Sequence, residues 1–471
     1  MENADTPQDK NGLERSVSLF QATVYGVGII LGAGIYALIG EAAGIAGNAI
    51  WVSFVIAALI AACSAISYAE LSAIYPKSAA EFVYVKEISG STFLGFVVGY
   101  VTVVTGIIAV AAVALGFSTY FKLYLDTDPV LVAIVLILAV ATLNFSGIQQ
   151  SARVNTLLTF VEAAGLIFII LIGIPYIGEV NLLAVDSGST VSDASAWKPM
   201  MAAAALIFFA YQGFEDIANI SEETKSAETT VPLALLLSLL ITTVIYILVA
   251  VVAVSVVPAD LLYAASKLDN PSEGPLALVA STALNSPMGG NLFTAIALCA
   301  TANTVLVLHI VTSRMLYGIA RDNCLPDFLA RVHPKTKTPL SAVVLATIFC
   351  ILFTLGGSLG DAANLTNVGV FLVFFMVNLM LLIYRYKNRN SKSLRHTSVS
   401  LAVNLGWFPL LPFFGTLFCA VMLLTQFWQP MTVLGVSVPI ILFALFIIVL
   451  AVPIYLLAQR NQGSQKGENS L

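Results

Sequence analysis

The hydrophobic positions of this chain fall in runs long enough to cross a bilayer, separated by short clusters of Gly, Pro and charge. Val231 to Val257 contains no charged residue, and between His396 and Arg460 there is no Asp, Glu, Lys or Arg. A spanning helix needs about 20 apolar residues, so the first window predicts one helix. The second predicts two, joined near Gln429-Pro430. Over the whole chain the punctuation predicts twelve spans, at 21–46, 50–75, 91–120, 129–147, 154–178, 198–221, 231–257, 290–319, 338–358, 363–386, 405–427 and 433–457. Composition agrees: 59% of residues are hydrophobic and 10% charged, where soluble domains carry about 25% charged residues. The expected class is an all-α integral membrane protein.

Basic residues orient the spans. If both termini are cytosolic, 18 of the 21 Lys and Arg fall on the cytosolic side, and only Lys122, Lys198 and Lys267 fall outside. A missed or invented span would scramble that partition. The expected location is the plasma membrane, multi-pass. Residues 1–20 and 458–471 are expected to be cytosolic tails, and the N-terminus lacks the pattern of a cleavable signal peptide. The net charge of -5 and the lack of a basic stripe argue against nucleic acid. The five cysteines form no CxxC pair and read as small packed residues. No HExxH, Walker loop, GxSxG or Cys/His metal spacing occurs, which argues against an enzyme.

Two spans stand apart. The first carries Gly26, Gly28, Gly32, Gly34 and Gly40, and the sixth carries Gly213 amid Ala210, Tyr211 and Gln212. Close packing through small residues is the simpler reading of any single glycine. Interrupted segments in matching positions of two five-helix halves point further, to a transporter's substrate site. An unwound stretch frees N–H and C=O groups, which are tolerated at membrane depth only where they line a cavity. Half-helix N-termini attract a carboxylate, and free carbonyls accept from an ammonium.

Six segments carry a family resemblance: GVGIILGAGIYALIGEAA at 26–43, SYAELSAIYPKSAAEFVY at 67–84, LNFSGIQQSARVNTLLT at 143–159, FFAYQGFEDIANISEETKSAETTVPLAL at 208–235, SRMLYGIARDNCLPDFLARVHP at 313–334 and NLTNVGVFLVF at 364–374. Together they resemble the amino acid–polyamine–organocation superfamily, closest to the cationic amino acid transporter branch and its prokaryotic relatives. The resemblance implies a LeuT-like fold. Residues 21–178 and 198–386 would be inverted five-helix repeats, and 405–457 would hold helices 11 and 12. It implies an amino acid permease working by alternating access, as a proton-coupled symporter, an exchanger or a sodium-coupled symporter. A channel and a non-transporting sensor are the readings from other classes. The partners implied are a small amino acid and membrane lipid, in a monomer or homodimer. No cofactor is expected, and a proton or sodium ion would be the coupling ion.

The resemblance places the substrate carboxylate at Ile30, Gly32, Ala33, Gly34 and Ile35. It places the amine and the aromatic gate at Phe209, Ala210, Tyr211, Gln212 and Gly213. Departures follow. The loop after helix 2 often holds a Gly pair and here reads Ser78-Ala79-Ala80-Glu81. Helix 3 carries Thr105 where the cationic branch often has an acid. With Gln212 and Phe209, Thr105 suggests a mid-sized, uncharged pocket. Helix 5 carries Glu162 where several prokaryotic relatives have a coupling Lys.

A carboxylate at that depth is costly, so a proton or cation partner is expected. Glu162 reads as a proton site, as a sodium ligand with helix 1 carbonyls and Thr301, Asn303 and Thr304, or as a neutral Glu hydrogen-bonded to a neighbouring helix. Glu215, Asp216, Glu222 and Glu223 read as gating partners of Arg153 and Arg321, or as solvated helix-end charges. Glu41 reads as interfacial, and His309 as packed.

Overall fold

The computed structural model describes residues 13–185, 189–267, 274–356, 359–389, 404–405, 408–426, 430–433 and 436–468. The tips of both expected tails, 1–12 and 469–471, lie outside them. Helix α1 (Leu19–Ala46) starts at a capping box: the Ser18 hydroxyl accepts from the Gln21 N–H, and the Gln21 side chain accepts from the Ser18 N–H. α2 (Ile50–Ile74) and the short α3 (Ala80–Ser89) lead to α4 (Thr92–Phe121). α5 (Pro129–Ser146) opens at an Asp128 cap and Pro129, and closes at Gly147, whose φ of 124° breaks the chain before α6 (Ile148–Gly173).

α7 (Trp197–Ile207) gives way to 3-10 turns at Phe208–Tyr211 and Phe214–Glu223, after which α8 (Ala227–Val256) crosses back. Short α9 (Ala259–Ser266) and α10 (Pro275–Leu284) precede α11 (Met288–Arg321), α12 (Leu340–Gly356), α13 (Leu359–Lys387), α14 (Leu410–Gln426) and α15 (Ile440–Glu468).

Among the described residues nine helical segments are long and apolar enough to cross a membrane, and shorter apolar helices lie at Leu340–Leu355, Leu410–Leu424 and Ala444–Gln459. The chain is a multi-pass membrane protein. α11 is 72% buried inside the protein and α5 only 22%, so α11 belongs to the centre of the bundle and α5 to its rim. Rim side chains such as Leu131, Leu157 and Phe160 are exposed, as they should be where lipid is the solvent.

Three boundaries differ from expectation. Helix 5 begins at Ile148, not 154, because the polar residues Gln149, Gln150 and Arg153 form a solvated first turn. The expected starts of helices 11 and 12, at 405 and 433, fall instead in antiparallel strand pairs: β1 (Asn404–Leu405) with β2 (Phe408–Pro409), and β3 (Pro430–Val433) with β4 (Val436–Pro439). Val433, Val436 and Val438 are β-branched and suit strands, and hydropathy alone does not separate an apolar hairpin from a helix end.

One end of the bundle is tied by charge. Arg314 of α11 and Glu223 are both fully buried and pair through two hydrogen bonds, at 2.9 and 3.1 Å. The third guanidinium nitrogen, Nη1, donates to Asn144 Oδ1 at 2.7 Å. The Glu223 carbonyl accepts from the N–H groups of Ser16 and Val17, both at 2.9 Å, which straps the segment before α1 onto the end of the sixth span. Arg321 pairs with Glu222, and Lys86 with Asp322 at 3.0 Å. These acids are therefore partnered, and Glu223 is not a solvated helix-end charge. Arg153, expected among the basic partners, is exposed.

His309 is packed by its hydrogen bonds: Asn144 Nδ2 donates to its Nδ1 at 3.1 Å, so its Nε2–H faces Thr347 Oγ1 at 3.0 Å.

Removing one partner of a buried pair strands the other charge, at a cost of about 3–5 kcal/mol. Arg314→Met is expected to lower the thermal unfolding temperature of the detergent-solubilised protein sharply, and Arg314→Met with Glu223→Leu to recover most of the loss.

Candidate functional site

The site begins with two interruptions. Inside α1 the helical dihedrals fail at Gly32 (φ 11°, ψ -155°). In the sixth span α7 stops at Ile207, Gln212 is extended (ψ 148°), and Gly213 takes φ 115°, a left-handed conformation that glycine adopts without penalty. The two breaks touch. A Cβ on Gly34 would sit 2.8 Å from the Ala210 Cα, and one on Gly213 would sit 2.9 Å from Ile29 Cγ1. Larger residues would push the interrupted spans apart.

The carbonyls freed by these breaks need donors. Tyr246 of α8 supplies one: its hydroxyl lies 2.5 Å from the Ile30 carbonyl, 3.1 Å from that of Ala210 and 3.3 Å from that of Leu31. One O–H proton faces three acceptors, so it satisfies one at a time. No signal in the sequence marks Tyr246, one aromatic residue in an apolar run. Its ring packs edge-on against Tyr211 at 5.3 Å.

Between the breaks, α4, α11 and α13 lies a cavity of about 140 Å³. Of the residues expected to touch substrate, Ile30, Gly34, Thr105 and Phe209 line it, as do Ala210, Gln212 and Gly213. Thr304 lines it too. Gly32 packs on Thr304 instead, where a Cβ would stand 2.7 Å from the hydroxyl. Ile35 is fully buried away from the cavity. Tyr211 turns to α2 and donates to the Phe54 carbonyl at 3.2 Å. Ala33 lies among residues whose side chains are not described.

The cavity also takes Tyr68 and Glu81, which sequence reasoning did not place there, and Glu215 and Asp216, which it read as gating partners or solvated helix-end charges. Glu215 and Asp216 are 9% and 8% exposed, so they are not solvated helix-end charges. The sixth span is interrupted early enough that these two residues still stand at the cavity. Glu81, on α3, accepts from Tyr68 at 3.2 Å and from Asn219 at 3.1 Å. Burial pushes its carboxyl above the ordinary range, and these hydrogen bonds pull the other way. The loop before α3 shows why a Gly pair is common there. Ala79 takes φ 57°, a left-handed conformation costing alanine about 1–2 kcal/mol.

A second constellation lies beside the first, between α6 and α11. Asn155 Nδ2 donates to Asn303 Oδ1 at 2.9 Å, and Asn303 Nδ2 donates to Thr159 Oγ1 at 3.0 Å. Gly28 of α1 lies on this ladder, where a Cβ would stand 2.0 Å from Thr159 Oγ1. One turn on, Glu162 is fully buried, and neither oxygen is hydrogen-bonded. The Asn303 amide of the neighbouring α11 is near it and has a second N–H besides the one it gives to Thr159. The Tyr36 hydroxyl is likewise without a partner. Among the described residues no group of three His, Cys, Asp or Glu could hold a metal ion.

Comparison with known proteins accounts for this geometry. A family described as amino acid permease matches residues 17–452. A branched-chain amino acid permease of Bacillus subtilis is 27% identical over 451 residues, covering 89% of this chain and 90% of its own. A methylthioribose transporter of the same organism is 26% identical over 452 residues, covering 89% of this chain and 90% of its own. A cationic amino acid transporter of Arabidopsis thaliana is 28% identical over 396 residues, covering 80% of this chain and 67% of its own. These relatives are permeases and transporters, not enzymes. An interrupted pair of spans, a cavity at their meeting point and a matching family over nearly the full length lead to one conclusion: the chain belongs to the amino acid permease family of the amino acid–polyamine–organocation superfamily.

Proposed function

We propose that this protein is a secondary active transporter that carries amino acids across the plasma membrane by alternating access, coupled to protons at Glu162. The observation that carries this reading is the contact between the two breaks at the edge of the cavity. α1, α2, α4, α5 and α6 make the first five-helix repeat of a LeuT-like architecture. The broken sixth span, α8, α11, α12 and α13 make the inverted second. α14 and α15 complete twelve. Both termini face the cytosol, as the 18-to-3 distribution of basic residues favours.

In this mechanism the substrate's amino-acid head lies across the breaks. Its carboxylate meets N–H groups of the interrupted first helix, and its ammonium meets the carbonyls of the sixth. Each carbonyl has two lone pairs. Tyr246 fills one on Ala210 and holds that carbonyl in place while the ammonium takes the other. Phe209, half-buried at the cavity, closes over the substrate. Glu162 binds a proton in one state and releases it in the other, and differential affinity of the two states links that proton to substrate. What supports a proton is the full burial of the carboxylate beside the Asn155–Asn303–Thr159 ladder, whose side chains bond to one another.

In proteoliposomes, Glu162→Gln is expected to abolish uptake driven by a pH gradient and to spare substrate exchange. Wild-type uptake with no pH dependence would remove the proton from the account. Tyr246→Phe leaves buried carbonyls unsatisfied, at about 1–3 kcal/mol. It is expected to weaken substrate binding roughly tenfold, measured by titration of the purified protein, and to lower its unfolding temperature.

A further inference from the structure

Beyond the break at Gly32, residues 33–46 of α1 are packed closely on α9. A Cβ on Gly40 would stand 2.4 Å from the Leu262 carbonyl oxygen, and one on Gly44 would stand 2.6 Å from the Tyr263 ring. Glu41 pairs with Lys267 at 2.5 Å and accepts from the Ser266 hydroxyl at 3.2 Å. These close approaches hold the far half of α1 and the short α9 together as one piece.

One side chain of that piece is turned toward Glu162. α1 and α6 lie side by side where Gly28 meets Thr159, and Glu162 follows Thr159 by three residues, about 4.5 Å along a helix axis. Tyr36 stands about two turns beyond Gly28. Helical side chains lean back toward the N-terminus, and the Tyr36 hydroxyl comes within electrostatic reach of the Glu162 carboxyl. Both residues are more than nine-tenths buried. Neither the Tyr36 hydroxyl nor either oxygen of Glu162 has a hydrogen-bonded partner. A phenol O–H without an acceptor thus stands near a carboxyl with vacant lone pairs. The other titratable groups facing Glu162 are Cys299 of α11 and Tyr246 of α8, and Tyr120 of α4 faces Tyr36. The Tyr246 hydroxyl already lies against the carbonyls of Ile30 and Ala210. Of these groups, Tyr36 is the one carried by the far half of α1.

We propose that the Tyr36 hydroxyl donates to the Glu162 carboxylate once the proton has left, and that this bond links proton occupancy to the position of the far half of α1 and α9. It rests on the assignment of proton coupling to Glu162 and names the residue through which the charge acts. A hydrogen bond to a charged carboxylate is about twice as strong as one to its neutral form. Deprotonation therefore draws Tyr36 in, and protonation releases it. A bond of unequal strength in the two arrangements biases the equilibrium between them. Tyr36 does not line the cavity, so it is a positioning residue that neither touches substrate nor carries the proton.

The test needs no substrate. Infrared difference spectra of the purified full-length protein in liposomes are recorded between acidic and alkaline pH. The wild type is expected to lose a protonated-carboxyl band, absent in Glu162→Gln, and to shift a tyrosine C–O band with it. Tyr36→Phe is expected to lose the tyrosine shift and to half-titrate the carboxyl band at about tenfold lower proton concentration, because the anion has lost a donor. Spin labels at Asp126 and Asp260, in full-length protein with its native cysteines replaced, follow α9. Their separation is expected to change between the same two pH values in the wild-type background and to stay fixed in Tyr36→Phe. A carboxyl band of Glu162 that titrates unchanged in Tyr36→Phe overturns the Tyr36 assignment and leaves proton coupling at Glu162 standing. So does a label separation that responds to pH equally with and without the hydroxyl. Wild-type and Glu162→Gln spectra that coincide remove proton binding at Glu162 itself. Should Tyr36→Phe fold poorly, the wild type and Glu162→Gln still decide: no tyrosine shift accompanying the Glu162 band overturns the proposal.

Discussion

Backbone carbonyls freed inside a membrane protein must find donors, and the rest of this structure is arranged around that requirement. Interrupting α1 at Gly32 and the sixth span at Gly213 releases polar groups where water and lipid give no help. The breaks are pressed together until only glycine fits at positions 34 and 213. A tyrosine hydroxyl from α8 is threaded between them to meet the carbonyls of Ile30 and Ala210. What remains open is a small cavity whose wall is partly backbone. A wall of backbone dipoles suits a zwitterion: the same ligand head interacts with both ends of the peptide group.

Two buried carboxylates are set apart by their surroundings. Glu162 lies behind the first helix, sealed from the cavity, with the Asn155–Asn303–Thr159 ladder beside it and no hydrogen bond of its own. Asp216 lies in the cavity wall among acids that are already satisfied. At one end of the bundle, the Arg314–Glu223 pair and the strap from Ser16 and Val17 hold the second half of the sixth span to α11.

Much of this was legible in the sequence. Length and charge-free runs marked the helices, because a lipid-facing helix has no polar face to disguise it. Glycines marked the breaks, since few other residues tolerate such close approach. Asp128, Pro129 and Gly147 punctuate α5 as their conformational preferences dictate. Three features were not legible. The strand pairs at 404–409 and 430–439 have the same hydropathy as the helix ends expected there. Tyr246 looks like any aromatic residue in an apolar run, and its role depends on a partner more than 200 residues away in sequence. Asp216 resembles a solvated helix end until the break is folded, because only the fold shows that it is buried and lines the cavity. For Tyr246 and Asp216 the missing information is a long-range contact, which hydropathy and spacing do not encode.

The central claim is that the cavity between the breaks alternately faces the two sides of the membrane. The measurement that tests it most directly is counterflow in sealed proteoliposomes: labelled amino acid outside, excess unlabelled amino acid inside, no other gradient. A carrier with one alternating site predicts transient accumulation of label above its external concentration, abolished when the internal substrate is omitted. Label that only equilibrates, at a rate independent of internal substrate, would contradict alternating access and indicate a continuous pore. Binding without entry of label would indicate a protein that recognises amino acids and does not move them.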